Sequence, residues 1–268
     1  MISSLLVMLL VLRRQYYSKI SYHGACNEIW ENGKALGVTL PQATPVTAAA
    51  RCQARQKVAP QIFKDLHQHI LAPVPAERRA QWQGRRVLTI DGAKINRPRK
   101  LCDDGYARPN PKADYPKGLL SYLYEVMPRL PIDIKLCAHT NERKATREHL
   151  QHLRTGDLVV YDRGDYSYDR LLEQVMRSLE AVFRLKSNAN TAISNFRKGA
   201  ESETIIATAP SKDVTLSRQE RYRGLSPQPL TLRFGRTVVE DDELVLGTTR
   251  QASDGFSLAD RCYLYHQR

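Results

Sequence analysis

The sequence predicts an α/β protein with a mixed sheet, preceded by a small helical domain. Two observations lead to this prediction. Residues 13 to 85 space their apolar side chains as helices do, whereas short apolar runs typical of strands alternate with helical patterns from Arg86 onward. Between them, residues 71 to 84 contain Pro73 and Pro75 and a polar, charged stretch that favours a linker. We therefore expect one domain over residues 1–80 and a second over 86–268.

The N-terminal domain is predicted to be helical and basic. Thr47 can cap a helix that carries Arg51 and Arg55 four residues apart on one face. Residues 13 to 85 hold 11 Lys and Arg against 4 Asp and Glu, so this segment carries +7 of the chain's net charge of +13. Such a charge suits DNA, because each phosphate that is neutralised releases counterions. The alternative is a solvated basic face without a DNA role.

Two further features bear on the compartment. The apolar run from Leu5 to Leu12 is much shorter than the roughly 20 residues that span a bilayer, so we expect a buried first helix and no membrane role. The cysteines are scattered without a CxxC pair, which disfavours a disulfide framework and a structural zinc site and favours a reducing cytosol. They are Cys26, Cys52, Cys102, Cys137 and Cys262.

The second domain is predicted to begin with a strand over Val87–Ile90. Three more strands, over residues 119–126, 132–137 and 158–161, and a fifth over 181–185 are interrupted by helices over 142–153 and 168–179. Three strands, a helix, a strand, a helix and a strand is the order of a ribonuclease-H-like fold. A β-rich insertion is expected over about 186–256. Helical signal returns at Ser257, which with Asp260 resembles a capping box.

Two carboxylates follow predicted strands that should lie side by side. Asp91 follows the first strand and Asp162 the fourth. Two carboxylates held close together repel each other, and a hard divalent ion such as Mg²⁺ relieves that repulsion through oxygen ligands. The pair therefore predicts a metal site, although an isolated Asp-Gly after a strand is more often a turn.

Four short motifs resemble those of insertion-sequence DDE transposases. Val87 to Gly92 resembles the first motif of that family. Residues 159–164 followed by Tyr166 resemble the second, usually Asp-Arg-Gly-Tyr, with Asp165 intervening. The stretch from His139 to Arg143 resembles the segment before it. The last four residues, 265–268, match the opening of the third motif, Tyr-x-x-Arg-x-x-x-Glu-x-x-x-x-x-x-Lys.

The resemblance implies a two-metal enzyme that cleaves DNA at the ends of an insertion sequence and transfers the strand to a target. It implies two Mg²⁺ or Mn²⁺ ions held by Asp91 and Asp162. The implied partners are double-stranded DNA, as terminal inverted repeats and as target, and a second copy of the chain in a homodimer on that DNA. The implied location is the bacterial cytoplasm, at the nucleoid. The residues expected to contact DNA are Arg51, Arg55, Arg163, Tyr265 and Arg268.

One departure from the family pattern limits the expected activity. The family spacing puts the third metal ligand, a Glu, four positions beyond Arg268. We therefore expect a catalytic domain that stops before its last helix is complete, leaves one sheet face uncovered and cuts DNA poorly or not at all. The alternative is a non-catalytic remnant that binds DNA and inhibits an intact enzyme or has no function. The acidic run over 240–243 falls in the insertion and is expected to be a solvated turn.

Overall fold

The computed structural model describes residues 4–16, 19–75, 78–186, 191–210, 228–239, 242–252 and 255–268. The chain divides into two compact units, Met1–Arg78 and Arg79–Arg268. Each unit encloses its own clusters of buried apolar side chains. Within the described residues, no helix is long and apolar enough to cross a membrane.

The first unit consists of α-helices. They are α1 (Ser4–Tyr16), α2 (Tyr22–Ala35), α3 (Ala48–Gln56) and α4 (Gln61–Leu71). Thr47 caps α3 by accepting a hydrogen bond from the backbone N–H of Ala50 at 3.2 Å, which confirms the predicted helix start. Trp30 is 1% exposed and packs with Leu6, Leu10 and Cys26 at the centre of this unit. This core joins α1 to α2.

The two apolar stripes of this unit are covered less than the sequence suggests. The run from Leu5 to Leu12 forms a helix, but its residues are buried on one side only. Leu5 remains 64% exposed. The helix α4 has apolar side chains at helical spacing, yet none of its residues is buried, and Ile70 is 62% exposed. Helical spacing fixes which side chains share a face, whereas only tertiary contacts decide what covers that face.

The second unit is organised by an eight-stranded mixed sheet. Its strands are β1 (Val87–Asn96), β2 (Lys117–Glu125), β3 (Leu130–Cys137), β4 (Leu158–Tyr161), β5 (Glu180–Arg184), β6 (Glu203–Thr208), β7 (Leu230–Val239) and β8 (Asp242–Thr248). The strand order is β3-β2-β1-β4-β5-β8-β7-β6. The first three strands form an antiparallel meander, and β4 and β5 run parallel to β1. This arrangement confirms the predicted ribonuclease-H-like fold.

The helices of the second unit are α5 (Glu142–His149), α6 (Tyr168–Met176), α7 (Thr191–Lys198) and α8 (Leu258–Gln267). Three of them begin at polar caps, which are Asn141 for α5, Ser167 for α6 and Ser257 for α8. The capping box predicted at the start of α8 is present: the Ser257 side chain accepts from the backbone of Asp260, and the Asp260 carboxylate accepts from the backbone of Ser257 at 2.7 Å. The box fixes where α8 starts.

The predicted helix over 168–179 is too long. The observed helix ends at Met176, which is 57% exposed. Ser178 has a φ of 52°, in the left-handed region that ends helices. The chain reverses there, and Leu179 is buried through the approach to β5.

The first strand is longer than predicted and does not end at Asp91. Its parallel pairing with β4 reaches from Val87 to Thr89, but its antiparallel pairing with β2 continues to Asn96. Asp91-Gly92 is therefore inside a strand and is not a turn. The antiparallel hairpin holds β1 extended beyond the point at which the parallel neighbour ends.

The strands of the predicted insertion join the same sheet. The strand β8 pairs antiparallel with β5, and β7 and β6 follow outward. On one sheet face, β8 contributes Leu244 and Leu246 to a cluster with Leu264 of α8. The expectation of an uncovered face is therefore wrong for this part of the sheet. By contrast, Ile134 on β3, at one edge of the sheet, remains 43% exposed.

Candidate active site

Asp91 and Asp162 lie at the same level of two neighbouring parallel strands. The register pairs Leu88 with Val159 and Thr89 with Val160, a constant offset of 71 positions. The same offset separates the two acids, since 91 + 71 = 162. Parallel neighbours in a sheet are about 4.8 Å apart, and side chains alternate between faces. The topology thus brings both acids to one face, at the end of the parallel ladder.

The Asp91 carboxylate is held by two donors. The Tyr122 hydroxyl donates to Oδ2 at 3.1 Å from the neighbouring strand β2, and the backbone N–H of Gly92 donates to Oδ1 at 2.7 Å. Asp91 is exposed, so one side of the carboxylate remains open to solvent. Burial, followed by the charge of Asp91, raises the pKa of Tyr122 and keeps its hydroxyl a donor. The pair orients the carboxylate without burying it.

The Asp162 carboxylate meets two residues at the C-terminal end of α8. The Tyr265 hydroxyl donates to Oδ1 at 3.1 Å, and the Arg268 guanidinium lies 3.5 Å from the same oxygen. Burial alone would raise the pKa of Asp162, but the backbone N–H of Arg163, the charge of Arg268 and the Tyr265 hydroxyl hold that pKa below its ordinary value. Asp162 is therefore ionised at neutral pH.

Arg184 of β5 is a part of this cluster that the sequence analysis missed. Its guanidinium donates to the Tyr265 hydroxyl at 3.0 Å and lies 5.5 Å from the centre of that ring. The Arg268 guanidinium lies 5.4 Å from the same ring. The Tyr265 ring thus has two guanidinium groups near it, and the negative face of an aromatic ring attracts cations. The signal that could have found Arg184 is its place at the end of the strand after Asp162.

The turn after Asp162 is fixed from α5. Arg143 donates twice to the carbonyl of Gly164, from Nε at 3.3 Å and Nη2 at 3.2 Å. Asp165, the residue that interrupts the family motif, donates its backbone N–H to the Asp162 carbonyl at 3.0 Å. Burial raises the pKa of Asp165. The Arg163 side chain is exposed and has no hydrogen bond or ion pair with any described residue, so its guanidinium can receive a phosphate.

A third acidic ligand does not complete this pair within the described part of the chain. No group of three or more His, Cys, Asp or Glu there is placed to hold a metal ion. The two aspartates present fit Mg²⁺ or Mn²⁺ in kind, because both offer carboxylate oxygen donors, one within β1 and one directly after the adjacent strand β4. Of the acidic run over 240–243, Glu243 pairs with Arg197 and does not approach the site, while residues 240 and 241 lie outside the described residues.

The arginines predicted to contact DNA from the first unit face the start of α2. Arg51 donates to the Tyr22 carbonyl at 2.6 Å, and Arg55 donates to the Tyr22 hydroxyl at 3.0 Å with its guanidinium 5.5 Å from that ring. The two side chains therefore share a surface, as their spacing predicted. They line a cavity of about 290 Å³ with apolar residues of α1.

His139 is not part of the acidic cluster. Its Nδ1 accepts from the backbone N–H of Asn141 at 3.3 Å, and its Nε2 lies 3.9 Å from the Glu148 carboxylate. These contacts hold the loop before α5, where Asn141 caps the helix. In these contacts the histidine has a structural role.

Comparison with known proteins gives one family and several structures. The family model described as "Transposase DDE domain" matches residues 82–261, which include both aspartates and Arg184. Curated protein sequences give no match. Among the solved structures that match is a piggyBac transposase in a synaptic complex with hairpin DNA, studied by cryo-EM. It is 12% identical with a TM-score of 0.47, and the match covers 97% of this chain but 55% of that one, so the chain spans about half of that protein's length.

Proposed function

The chain belongs to the transposase DDE domain family, and we propose that Asp91 and Asp162 hold divalent metal ions for DNA strand cleavage and strand transfer. The observation that carries the proposal is the shared register of the two acids on neighbouring parallel strands. This register places the two carboxylates next to each other, as a shared metal site requires. The family match spans both positions, which adds an independent argument for the same pair.

The chemistry that Mg²⁺ or Mn²⁺ ions supply at such a pair is activation of the attacking oxygen and stabilisation of the leaving oxygen at a phosphodiester. Neighbouring residues of the chain orient and charge these two carboxylates. Tyr122 and the Gly92 N–H orient the Asp91 carboxylate. Arg268 and Tyr265 hold Asp162 ionised. An ionised, oriented carboxylate is the form that binds a hard cation.

The basic side chains around Asp162 supply the phosphate contacts in this proposal. A guanidinium can offer two parallel hydrogen bonds to phosphate, and Arg163 is exposed with that capacity unused by the described residues. Arg268 pairs with Asp162 through Nη1, and its remaining guanidinium nitrogens could donate to phosphate. Arg184 then keeps the Tyr265 ring in position. The cluster thereby serves the metal pair and the DNA strand.

We assign DNA recognition to the helical unit, through Arg51 and Arg55 of α3, and strand cleavage to the sheet unit. Element-end DNA and target DNA are the proposed substrates, with two copies of the chain acting together on the DNA. Within the described residues, the proposed metal site contains two carboxylates and no third. We therefore propose that residues 1–268 alone cut DNA poorly, because loss of one ligand misplaces the reacting oxygens.

A cleavage assay tests the proposal. The substrate is a duplex that carries the DNA on either side of the coding sequence, incubated with protein and Mg²⁺ or Mn²⁺, with EDTA as a blank. Residues 1–268 are compared with a polypeptide extended through the downstream frame. We expect stronger cleavage from the extended form, and loss of it in Asp91→Asn and Asp162→Asn.

The matched control is Asp114→Asn, which neutralises an exposed aspartate paired with Arg99. It should cut as the unchanged protein does. Equal cleavage by the unchanged protein and by both site variants would contradict the assignment of the metal ligands. Equal cleavage by the short and extended polypeptides would show that the third ligand lies within residues 1–268.

A further inference from the structure

A buried polar network lies behind Asp91, on the opposite face of the sheet. His149 of α5 is fully buried, with Nε2 3.0 Å from the Ser121 hydroxyl of β2 and Nδ1 2.9 Å from the Asp133 carboxylate of β3. His152 also lies 3.2 Å from that carboxylate. The network joins two strands of the meander to the helix that packs on them.

The order serine, histidine, aspartate is that of a nucleophilic triad, but burial excludes that use. Ser121 is 2% exposed and His149 is 0% exposed, so no substrate reaches the hydroxyl. Nucleophilic catalysis requires contact between the serine oxygen and a substrate carbonyl or phosphate. The network must therefore act on its protein neighbours.

Ser121 connects this network to a proposed metal ligand. Its hydroxyl lies 3.4 Å from the backbone carbonyl of Asp91, on the neighbouring strand. That carbonyl belongs to the same peptide unit as the Gly92 N–H, which donates to the Asp91 carboxylate. A change in the hydrogen bond at the carbonyl therefore reaches the group that orients the carboxylate.

The Ser121 hydroxyl has one proton and two possible acceptors. Asp133 accepts from His149 Nδ1 in either state of the ring: burial raises its pKa, but the His149 hydrogen bond and the charges of His149, His152 and Lys135 lower that pKa to about 2. When the imidazole is neutral with Nδ1 protonated, Nε2 accepts a hydrogen bond from the Ser121 hydroxyl. When it is charged, Nε2 donates, and the Ser121 proton is available to the Asp91 carbonyl.

We propose that Ser121, His149 and Asp133 form a positioning relay that sets the hydrogen bond at the Asp91 backbone carbonyl according to the protonation of His149. The proposal rests on the proposed function of Asp91 as a metal ligand. None of the three residues touches metal or DNA in it. They act through the peptide between Asp91 and Gly92.

The charged groups around the imidazole come from several elements. The strand β3 presents Asp133 and Lys135, and Lys135 lies 3.9 Å from the Asp133 carboxylate. The turn after α5 presents His152, and α5 itself presents Glu148, which pairs with Lys135 at 3.6 Å. The strands β1 and β2 contribute the Asp91 carbonyl and the Ser121 hydroxyl. Asp133 is thus the anion in direct contact with the ring.

Nuclear magnetic resonance tests the relay without any need for activity. In the full-length, isotope-labelled protein, the His149 ring nitrogens report its protonation, and the Gly92 amide reports the Asp91 peptide. We expect the Gly92 signal to change together with the His149 ring-nitrogen signals as the pH is varied. In Ser121→Ala the Gly92 signal should no longer follow them. The relay would be overturned if the Gly92 signal did not follow the His149 signals and were the same in Ser121→Ala as in the unchanged protein.

Manganese binding, measured by electron paramagnetic resonance, tests its consequence. Residues that orient a metal ligand from behind typically alter affinity about 10-fold or more when changed. We expect Ser121→Ala to weaken Mn²⁺ binding by roughly that factor. The matched control is Thr248→Val, which removes a buried hydroxyl on β8 that does not contact Asp91. Its affinity should equal that of the unchanged protein.

Asp91→Asn separates the two proposals. If it leaves Mn²⁺ binding unchanged, the metal site is wrong, and the Gly92 titration alone decides the relay. If it weakens binding while Ser121→Ala and Thr248→Val bind alike, the metal site stands and the relay's effect on it is refuted. Weakened binding in both Asp91→Asn and Ser121→Ala, with Thr248→Val unchanged, supports both.

Discussion

Replacing Leu264 with alanine should destabilise the second unit by about 2–3 kcal/mol. Leu264 is fully buried and packs from α8 onto Leu158, Val160 and Leu246 on the face of the sheet that carries the aspartates. Leu-to-Ala changes in cores cost about 2–5 kcal/mol, because burial is lost and a cavity remains. The lower half of that range applies, since α8 is exposed on its outer side and can therefore relax around the cavity.

Urea unfolding followed by tryptophan fluorescence measures this loss. The chain has two tryptophans, and Trp82 packs edge-on against Phe256 at 5.4 Å between ring centres, close to α8. A Trp30→Phe background in every variant removes the signal of the first unit. For a unit of 190 residues, 79 to 268, a loss of 2–3 kcal/mol also lowers the melting temperature by about 4–12 °C.

The control is Tyr263→Ala on the same helix. Tyr263 is 49% exposed, so its removal should cost less than about 1 kcal/mol. Equal unfolding midpoints for the Leu264 and Tyr263 variants would refute the claim that α8 is docked on the sheet through Leu264. The position of Tyr265 and Arg268 at the aspartate would then lose its structural basis.

Three further outcomes are expected. Tyr265→Phe removes a donor to the Asp162 carboxylate, so the pKa of Asp162 should rise, as carboxyl ¹³C shifts would record; an unchanged pKa contradicts the contact. Asp133→Asn should lower the free energy of unfolding by about 2 kcal/mol at neutral pH, because the pKa of Asp133 in the folded protein, about 2, lies below its ordinary value of 3.8. This contribution is present above pH 3.8 and is lost as the pH falls through 2, so the urea midpoints of the variant and the unchanged protein should converge in acid. Arg51→Ala with Arg55→Ala should weaken duplex DNA binding by residues 1–268, and binding should fall steeply between about 50 and 200 mM salt; salt-independent binding contradicts phosphate contacts.

The sequence was sufficient for the features that short stretches of chain determine. The Ser257–Asp260 capping box depends on two residues three positions apart, so the residue types alone predicted it. The strand pattern that leads to Asp162 is likewise local. The order of strands and helices was enough for the fold class, because few topologies accommodate that order.

Contacts between distant parts of the chain could not be predicted in this way. Arg184 meets Tyr265 across 81 positions, and Tyr122 meets Asp91 across 31. Neither partner has a residue type or spacing that singles it out. The length of β1 was missed for a related reason, since the antiparallel partner that extends it is formed by a strand 20 residues further on.

The relay behind Asp91 shows the same limit. Ser121, Asp133 and His149 come from two strands and a helix, and each reads in sequence as an ordinary polar residue. Their contacts form only once the meander and α5 pack together. The sequence also could not tell that α4 would leave its apolar stripe largely exposed, because that depends on what packs against it.

The location of bound manganese tests whether Asp91 and Asp162 form the metal site. Crystals of the protein grown with Mn²⁺ allow an anomalous difference map at the manganese absorption edge. We expect a peak between Asp91 and Asp162, with a carboxylate oxygen of each at a coordination distance of about 2.2 Å. A peak at other residues, or carboxylates more than about 8 Å apart with no shared ion, would contradict the assignment of these two aspartates as the metal site.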